Sequence, residues 1–233
     1  MKSDYSDLTV IIPTFDERDN IARVVGGLTK MYRGIRIIIS DDGSSDGTIR
    51  LVNALGKKNK NITLLDRSQR EVHGLTASVL DAAMIAGTKK TVVMDGDMQH
   101  PPSKVGVIAS ALDSYDLVVG VRTRVKDWGI HRRITSKSIA YISYALFALL
   151  GRRKCNDMMS GFFGIDSRTF KRLIRNHRKE FVEDGYKVLL DVLKVLDHNN
   201  TIGEVRYSTF HPRKEGRSKF RFRHVITTLR SLE

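Results

Sequence analysis

Short β-branched runs punctuate the first half of the chain. Residues 8–13 (LTVIIP), 35–40 (IRIIIS), 61–66 (NITLLD), 91–95 (TVVMD) and 116–121 (DLVVGV) are each apolar at half or more of their positions. Runs of this length and character predict strands covered on both faces, as in a parallel sheet held between helices. Helical spacing lies between them. Ile21, Val24, Val25 and Leu28 follow i, i+3, i+4, i+7, and Val105, Ile108, Ala109 and Leu112 follow a similar spacing. Pro101, Pro102 and Ser103 suit the start of the second helix, and Ser45 or Asp46 suits the cap of a helix after the 35–40 run. Strand and helix in alternation predict a doubly wound α/β fold with a mostly parallel sheet. In such sheets ligands bind beyond the carboxyl ends of the strands.

Past residue 122 the pattern changes. Residues 138–151 (SIAYISYALFALLG) and 185–196 (GYKVLLDVLKVL) have helical length, and the second is apolar nearly all round, which predicts burial. Residues 203–210 read as a late strand, and 211–224 form a very basic loop. No stretch reaches the ~20 apolar residues that span a bilayer. The 138–151 segment suits a core helix or one lying in a membrane interface, and the basic 211–233 segment is expected to contact a membrane. With no repeat, low-complexity tract or linker, residues 1–233 read as a single domain.

Composition narrows this further. Lys plus Arg outnumber Asp plus Glu by 40 to 26, a net charge of +14. That excess points to a polyanionic partner: nucleic acid, an anionic membrane or a phosphorylated substrate. At 41% hydrophobic and 28% charged residues, the chain is not of the disordered class. The one cysteine, Cys155, allows no internal disulfide and suits a reducing compartment. The start of the chain lacks the apolar core of a signal peptide.

The acids are not scattered. Asp16 with Glu17, Asp41 with Asp42, and Asp95 with Asp97 each follow a predicted strand, where they can converge on one pocket. Like charges this close repel, so a cation is expected between Asp95 and Asp97. Mg²⁺ is commonly held by one or two carboxylates plus substrate phosphates, and Gln99 offers a further oxygen. Phe15 can flank a base, while Glu17 and Asp42 can accept from base or ribose donors. Neither a Walker loop nor a dinucleotide fingerprint is present. Basic residues fall into two groups: Arg122, Arg124, Arg132, Arg133 and Lys137, then Arg213 to Arg223. Arginine forks match phosphate geometry. A purely nucleic-acid-binding reading accounts for the charge but not for acids gathered at strand ends.

Taken in order, PTFDERDNI, DDGSSDGT, HGLTASVLDAA, DGDMQHPP, VVGVRTR, DMMSGFF and GRSK resemble the family 2 inverting glycosyltransferases, and among them the polyprenyl-phosphate mannose synthases. The resemblance covers roughly residues 8 to 220. It implies a nucleotide-sugar-binding GT-A fold that moves mannose from GDP-mannose to dolichyl or another polyprenyl phosphate. By match, Pro13, Phe15, Glu17, Ser40 and Asp42 surround the nucleoside. Asp95, Gly96, Asp97 and Gln99 meet Mg²⁺ or Mn²⁺ and the diphosphate. Arg122, Arg132, Ser136, Arg213 and Lys219 engage donor or acceptor phosphates, with Arg122, Arg132 and Ser136 on the acceptor. A related transferase using a UDP-sugar to deliver glucose or N-acetylglucosamine is the alternative. Phe15 and Asp16 stand where family members often carry Tyr and Asn, and Arg217 stands where Glu is common. Some members add C-terminal membrane spans. The implied location is the cytoplasmic face of a membrane, reached peripherally, through a longer chain, or with a membrane-spanning partner subunit.

Overall fold

A computed structural model describes residues 4–123, 147, 149, 151–207, 230 and 231. Strands β1 (Leu8–Thr14), β2 (Arg36–Asp41), β3 (Ile62–Asp66) and β4 (Lys90–Val93) fall on the first four apolar runs. Three more follow: β5 (Leu117–Arg122), β6 (Phe163–Asp166) and β7 (Ile202–Tyr207). They form one seven-stranded sheet in the order β3-β2-β1-β4-β6-β5-β7. β1 pairs parallel with β2 and β4, β2 with β3, and β5 with β7. β6 runs antiparallel to both of its neighbours, β4 and β5. Every strand except β6 therefore points the same way, and six carboxyl ends share one edge. The amino end of β6 lies at that edge too.

Helices α1 (Arg18–Met31), α2 (Thr48–Lys58), α3 (Leu75–Ile85), α4 (Val105–Ala111), α5 (Ser167–His177) and α6 (Val188–Val195) cover the sheet. β1 is buried at every position, and successive side chains of a strand face opposite sides. Val10 and Ile12 pack with Ile21, Val24 and Leu28 of α1, Val52 of α2 and Ile108 of α4. Ile11 packs on the other side with Leu80 of α3, Phe170 of α5 and Leu189 of α6. Each such side chain, fully buried, contributes about 1.5–3 kcal/mol. The two layers explain why the strands read as unbroken apolar runs.

The expected helix over Val105 to Leu112 is α4, entered through a 3₁₀ turn at Pro102–Lys104. The 185–196 segment yields α6, with Asp191 buried along with its apolar neighbours. The late strand is β7, which begins one residue earlier than expected. The sequence pattern did not announce β6 or α5. β6 has four residues including Gly164, too few to stand out as a run. α5 buries Phe170, Leu173 and Ile174, and Asp166 caps it by accepting from the Thr169 N–H at 2.9 Å. Among the described residues, no helix is long and apolar enough to cross a membrane.

Candidate functional site

A cleft of about 230 Å³ opens at the carboxyl edge, between the ends of β1, β2 and β4. Pro13, Thr14, Phe15 and Glu17 line one side, Asp42 and Ser78 another, and Asp95, Gly96 and Asp97 the floor. Phe15 is 48% exposed at the mouth. A wider groove of about 690 Å³ runs along α2. Its wall holds a single acid, Asp46, so the chemistry favours the smaller cleft.

Asp95 and Asp97 sit on the turn that follows β4. Met98 takes a positive φ of 66° there, and the Gln99 N–H donates to Asp97 Oδ1 at 3.1 Å. The Asp95 N–H donates to His100 Nδ1 at 3.0 Å. His100 is buried and stacks on Phe162, with ring centroids 5.1 Å apart and planes 11° apart. Burial pushes its imidazole down to about 4, with Asp97 opposing and Arg122 assisting that shift. Gly161 lies against the Asp95 carboxylate. A Cβ at 161 would fall 3.1 and 3.2 Å from its two oxygens. No group of three or more His, Cys, Asp and Glu among the described residues is arranged to hold an ion alone. A divalent ion at Asp95 and Asp97 would complete its shell with phosphate oxygens and water, the usual arrangement for Mg²⁺. Two hard carboxylate donors at the cleft floor fit that ion.

The other two acidic pairs divide their work. Asp41 is fully buried and accepts from Thr14 Oγ1 (2.7 Å), the Ser44 N–H (2.8 Å) and Ser44 Oγ (2.7 Å). It ties β1 to the turn after β2. Asp16 Oδ1 accepts from the Ser45 and Asp46 N–H groups at 2.9 and 3.3 Å. The N-cap of α2 is Gly47 rather than Ser45 or Asp46, so no side chain caps from that position, and Asp46 Oδ1 accepts the Thr48 N–H from one residue earlier at 2.9 Å. Glu17 and Asp42 remain on the cleft wall. Glu17 Oε2 accepts from Asn20 Nδ2 at 2.9 Å. Asp42 is held by Arg67, by His73 Nδ1 at 3.1 Å and by the Gly74 N–H at 2.8 Å. Burial raises the Asp42 carboxyl above its ordinary range, although Arg67 and His73 draw it down.

Arg67 is only 2% exposed and joins Asp42, Asp81 Oδ2 (3.0 Å), Ser78 Oγ (3.1 Å) and the Val72 carbonyl (2.8 Å). It fixes the 72–74 loop beside Asp42. Asp81 also accepts from Arg178, whose Nε binds Glu183 at 2.8 Å. Gly74 itself touches the backbone of Glu183 and Asp184.

The predicted residues do not all meet the cleft. Pro13, Phe15, Glu17, Asp42, Asp95, Gly96 and Asp97 line it. Ser40 is fully buried within β2, and its Oγ has no partner, so it lies beneath the wall. Gln99 contributes its backbone to Asp97, and its side chain is not part of the lining. Arg122 is not among the lining residues, and its Nε and Nη2 donate to both oxygens of Asp157, at 2.7 and 2.8 Å. The pair is 16% and 13% exposed, and Tyr207 stands beside Arg122 in the β5–β7 register. Arg132, Ser136, Arg213 and Lys219 lie outside the described residues, as do most of the 138–151 and 211–233 segments. The sequence assigns no role to Arg67, Asp157 or His100. His100 stands in DGDMQHPP and Asp157 in DMMSGFF, but nothing in their spacing reveals the contacts they make.

The family model described as Glycosyl transferase family 2 matches residues 9–174. A dolichol-phosphate mannosyltransferase of Saccharomyces cerevisiae is 31% identical over 97% of this chain and 86% of its own length. One from Mycosarcoma maydis is 33% identical over 91% of this chain and 72% of its own. One from Pyrococcus furiosus is 29% identical over 97% of this chain, which spans 62% of that protein. Among solved structures, mannosyl-3-phosphoglycerate synthase from Rubrobacter xylanophilus superposes with a TM-score of 0.68 at 15% identity, over 97% of this chain and 72% of that one. Glucosyl-3-phosphoglycerate synthase from Mycobacterium tuberculosis, in complex with Mn²⁺, UDP and phosphoglyceric acid, gives 0.65 at 18% identity, over 90% and 71%. These two share the GT-A fold. The family match runs from β1 into α5 and takes in the whole cleft, and on that ground the chain belongs to glycosyl transferase family 2.

Proposed function

We propose that this glycosyltransferase moves mannose from GDP-mannose to dolichyl or another polyprenyl phosphate, inverting the anomeric carbon. One observation carries the reading. Relatives named dolichol-phosphate mannosyltransferase match this chain over more than nine tenths of its length. The cleft supports it with a wall for a nucleoside and two carboxylates for a diphosphate.

The acceptor sets the chemical problem. A sugar hydroxyl would need a general base. A phosphate monoester has a second pKa of about 6 and is already ionised at neutral pH. No proton-abstracting residue is therefore assigned. Phe15 offers the base a flat apolar face, and Glu17 and Asp42 offer acceptors to ribose or base. Asp95 and Asp97 would hold Mg²⁺ or Mn²⁺, which when bound would neutralise charge on the departing diphosphate. Arg132, Ser136, Arg213 and Lys219 bind the phosphates, and Arg122 joins them only to the extent that Asp157 releases it. The protein's work is positioning and electrostatics rather than proton transfer.

The lipid chain of the acceptor puts the reaction at a bilayer surface. A basic residue near an anionic leaflet contributes about 1 kcal/mol, and the +14 charge suits such a surface. The cytoplasmic face, the interfacial role of residues 138–151 and a membrane-spanning partner belong to this proposal.

The test is transfer of radiolabelled mannose from GDP-mannose to dolichyl phosphate in detergent, with Mg²⁺ or Mn²⁺, beside UDP-glucose as the competing donor. Labelled lipid from GDP-mannose alone supports the reading. Labelled lipid from UDP-glucose alone replaces it with the UDP-sugar reading.

A further inference from the structure

The turn Asp95 to His100 carries both acids, and among its hydrogen bonds is one made by a ring. The Asp95 N–H reaches forward to His100 Nδ1 at 3.0 Å, so the His100 side chain bridges the two ends of the six-residue turn. Nδ1 accepts that bond, which assigns the neutral ring's own proton to Nε2. Nε2 lies 3.7 Å from Asp95 Oδ2. One ring thus holds the backbone of Asp95 and turns an N–H toward its carboxylate. The distance is too long for a hydrogen bond, and the contact is electrostatic.

The ring is fixed in turn. It is buried against Phe162, nearly parallel and 5.1 Å away. Phe162 makes an edge contact with Tyr207 at 5.9 Å. Its backbone is set by Ser160, whose Oγ donates to the Gly120 carbonyl at 2.8 Å and accepts from the Phe162 N–H at 3.2 Å. Gly161 completes the seat. The place where its Cβ would stand lies 3.1 Å and 3.2 Å from the Asp95 oxygens and 3.4 Å from His100 Cε1. The carboxylate and the edge of the imidazole therefore both border the bare backbone of Gly161.

We propose that His100 is a positioning residue that clasps the Asp95–Asp97 turn, and that Gly161 is the seat the Asp95 carboxylate needs, so that together they set the affinity of the acid pair for a divalent ion bound with a nucleoside diphosphate. The inference rests on the assignment of Asp95 and Asp97 as the ion's ligands. Groups that orient a metal ligand typically change affinity or activity about 10- to 100-fold when removed. His100 touches neither ion nor substrate and acts through Asp95.

Mn²⁺ binding in the presence of GDP, followed by the loss of the free-ion electron paramagnetic resonance signal beyond the loss that GDP causes without protein, tests this without turnover. The full chain is used throughout, and wild-type binding is the control for the ligand assignment. If wild type takes up no Mn²⁺ with GDP, that assignment and the inference fall together. If wild type binds and the variants match it, the inference alone falls. His100→Phe keeps the stack on Phe162 and removes both nitrogens; a loss of about tenfold or more is expected. His100→Asn restores an acceptor near the Nδ1 position and is expected to recover most of the affinity. Gly161→Ala approaches from the other side and is expected to lose about tenfold or more with the circular dichroism spectrum retained. If His100→Phe fails to fold, Gly161→Ala decides. Wild-type Mn²⁺ affinity in a folded His100→Phe or Gly161→Ala protein overturns the proposal.

Discussion

Replacing Asp157 with Ala should destabilise the protein far more than removing an acid from a surface ion pair. The reason is the state of Arg122. Its guanidinium meets both oxygens of Asp157 at 2.7 and 2.8 Å, with the two side chains 16% and 13% exposed. Burial works against the arginine's charge, and the hydrogen bonds and charge of Asp157 more than offset it. Removing the carboxylate leaves a cation desolvated without its fork partner, a change that costs about 3–5 kcal/mol in comparable sites. At about 2–4 °C per kcal/mol for a chain of this size, the expected fall in Tm is roughly 6–20 °C. Arg172 and Asp197 supply the control, since that pair is 48% and 47% exposed. Asp197→Ala should cost at most about 1 kcal/mol. Urea unfolding of both variants measures the contrast, and the double variant Arg122→Met/Asp157→Leu should recover part of the loss. If Asp157→Ala costs no more than Asp197→Ala, Arg122 is not held as described and its fork is open to phosphate.

Asp97→Ala should abolish metal-dependent mannosyl transfer while leaving the urea midpoint nearly unchanged; full activity in the variant would remove the acid pair from the mechanism. Asp191 carries a pH dependence. Burial pushes its carboxyl up to about 6, against hydrogen bonds from Ser231 and the Val182 N–H and the charges of Lys194 and Arg230. A raised folded value means that its contribution to stability is fully present below the unfolded pKa of about 3.9 and is lost as pH rises through about 6. Wild type should therefore show a falling stability component between about pH 4 and 6 that Asp191→Asn lacks; equal slopes in urea titrations at several pH values would contradict it. Gly74→Ala would set a Cβ 2.8 Å from the Asp184 Cα, displacing the 72–74 loop from Asp42 at a cost of about 1–3 kcal/mol. Thermal unfolding measures that cost, and an unshifted Tm would show that the loop is not packed as described.

The sequence revealed what repeats and hid what meets only in space. Burial on both faces made β1, β2 and β4 legible as apolar runs, and α1 and α4 as periodic stripes. β6 was hidden because four residues with a glycine carry no pattern. The fold therefore differs from a plain parallel sheet at the one strand whose approach brings Gly161 and Phe162 to the site. The acids were legible as a set because they follow strand ends. Their division of labour was not. Asp41 and Asp42 are neighbours in sequence, yet one is locked by Thr14 and Ser44 while the other faces the cleft through Arg67 and His73. Arg67 and Asp42 are separated by 25 residues and Arg122 and Asp157 by 35, so no local spacing foretells either pair. That Arg122 forks onto Asp157 was likewise hidden, because a basic residue at a strand end carries no mark of its partner in sequence.

The proposed transfer needs Asp95 and Asp97 to receive a divalent ion together with the donor diphosphate. A crystal grown with Mn²⁺ and GDP, measured at the manganese absorption edge, tests this most directly. The expected result is an anomalous peak within coordination distance of Asp95 or Asp97 and of the diphosphate, with the guanosine beside Phe15. A peak elsewhere, or GDP bound in the groove along α2 with the cleft empty, would contradict it.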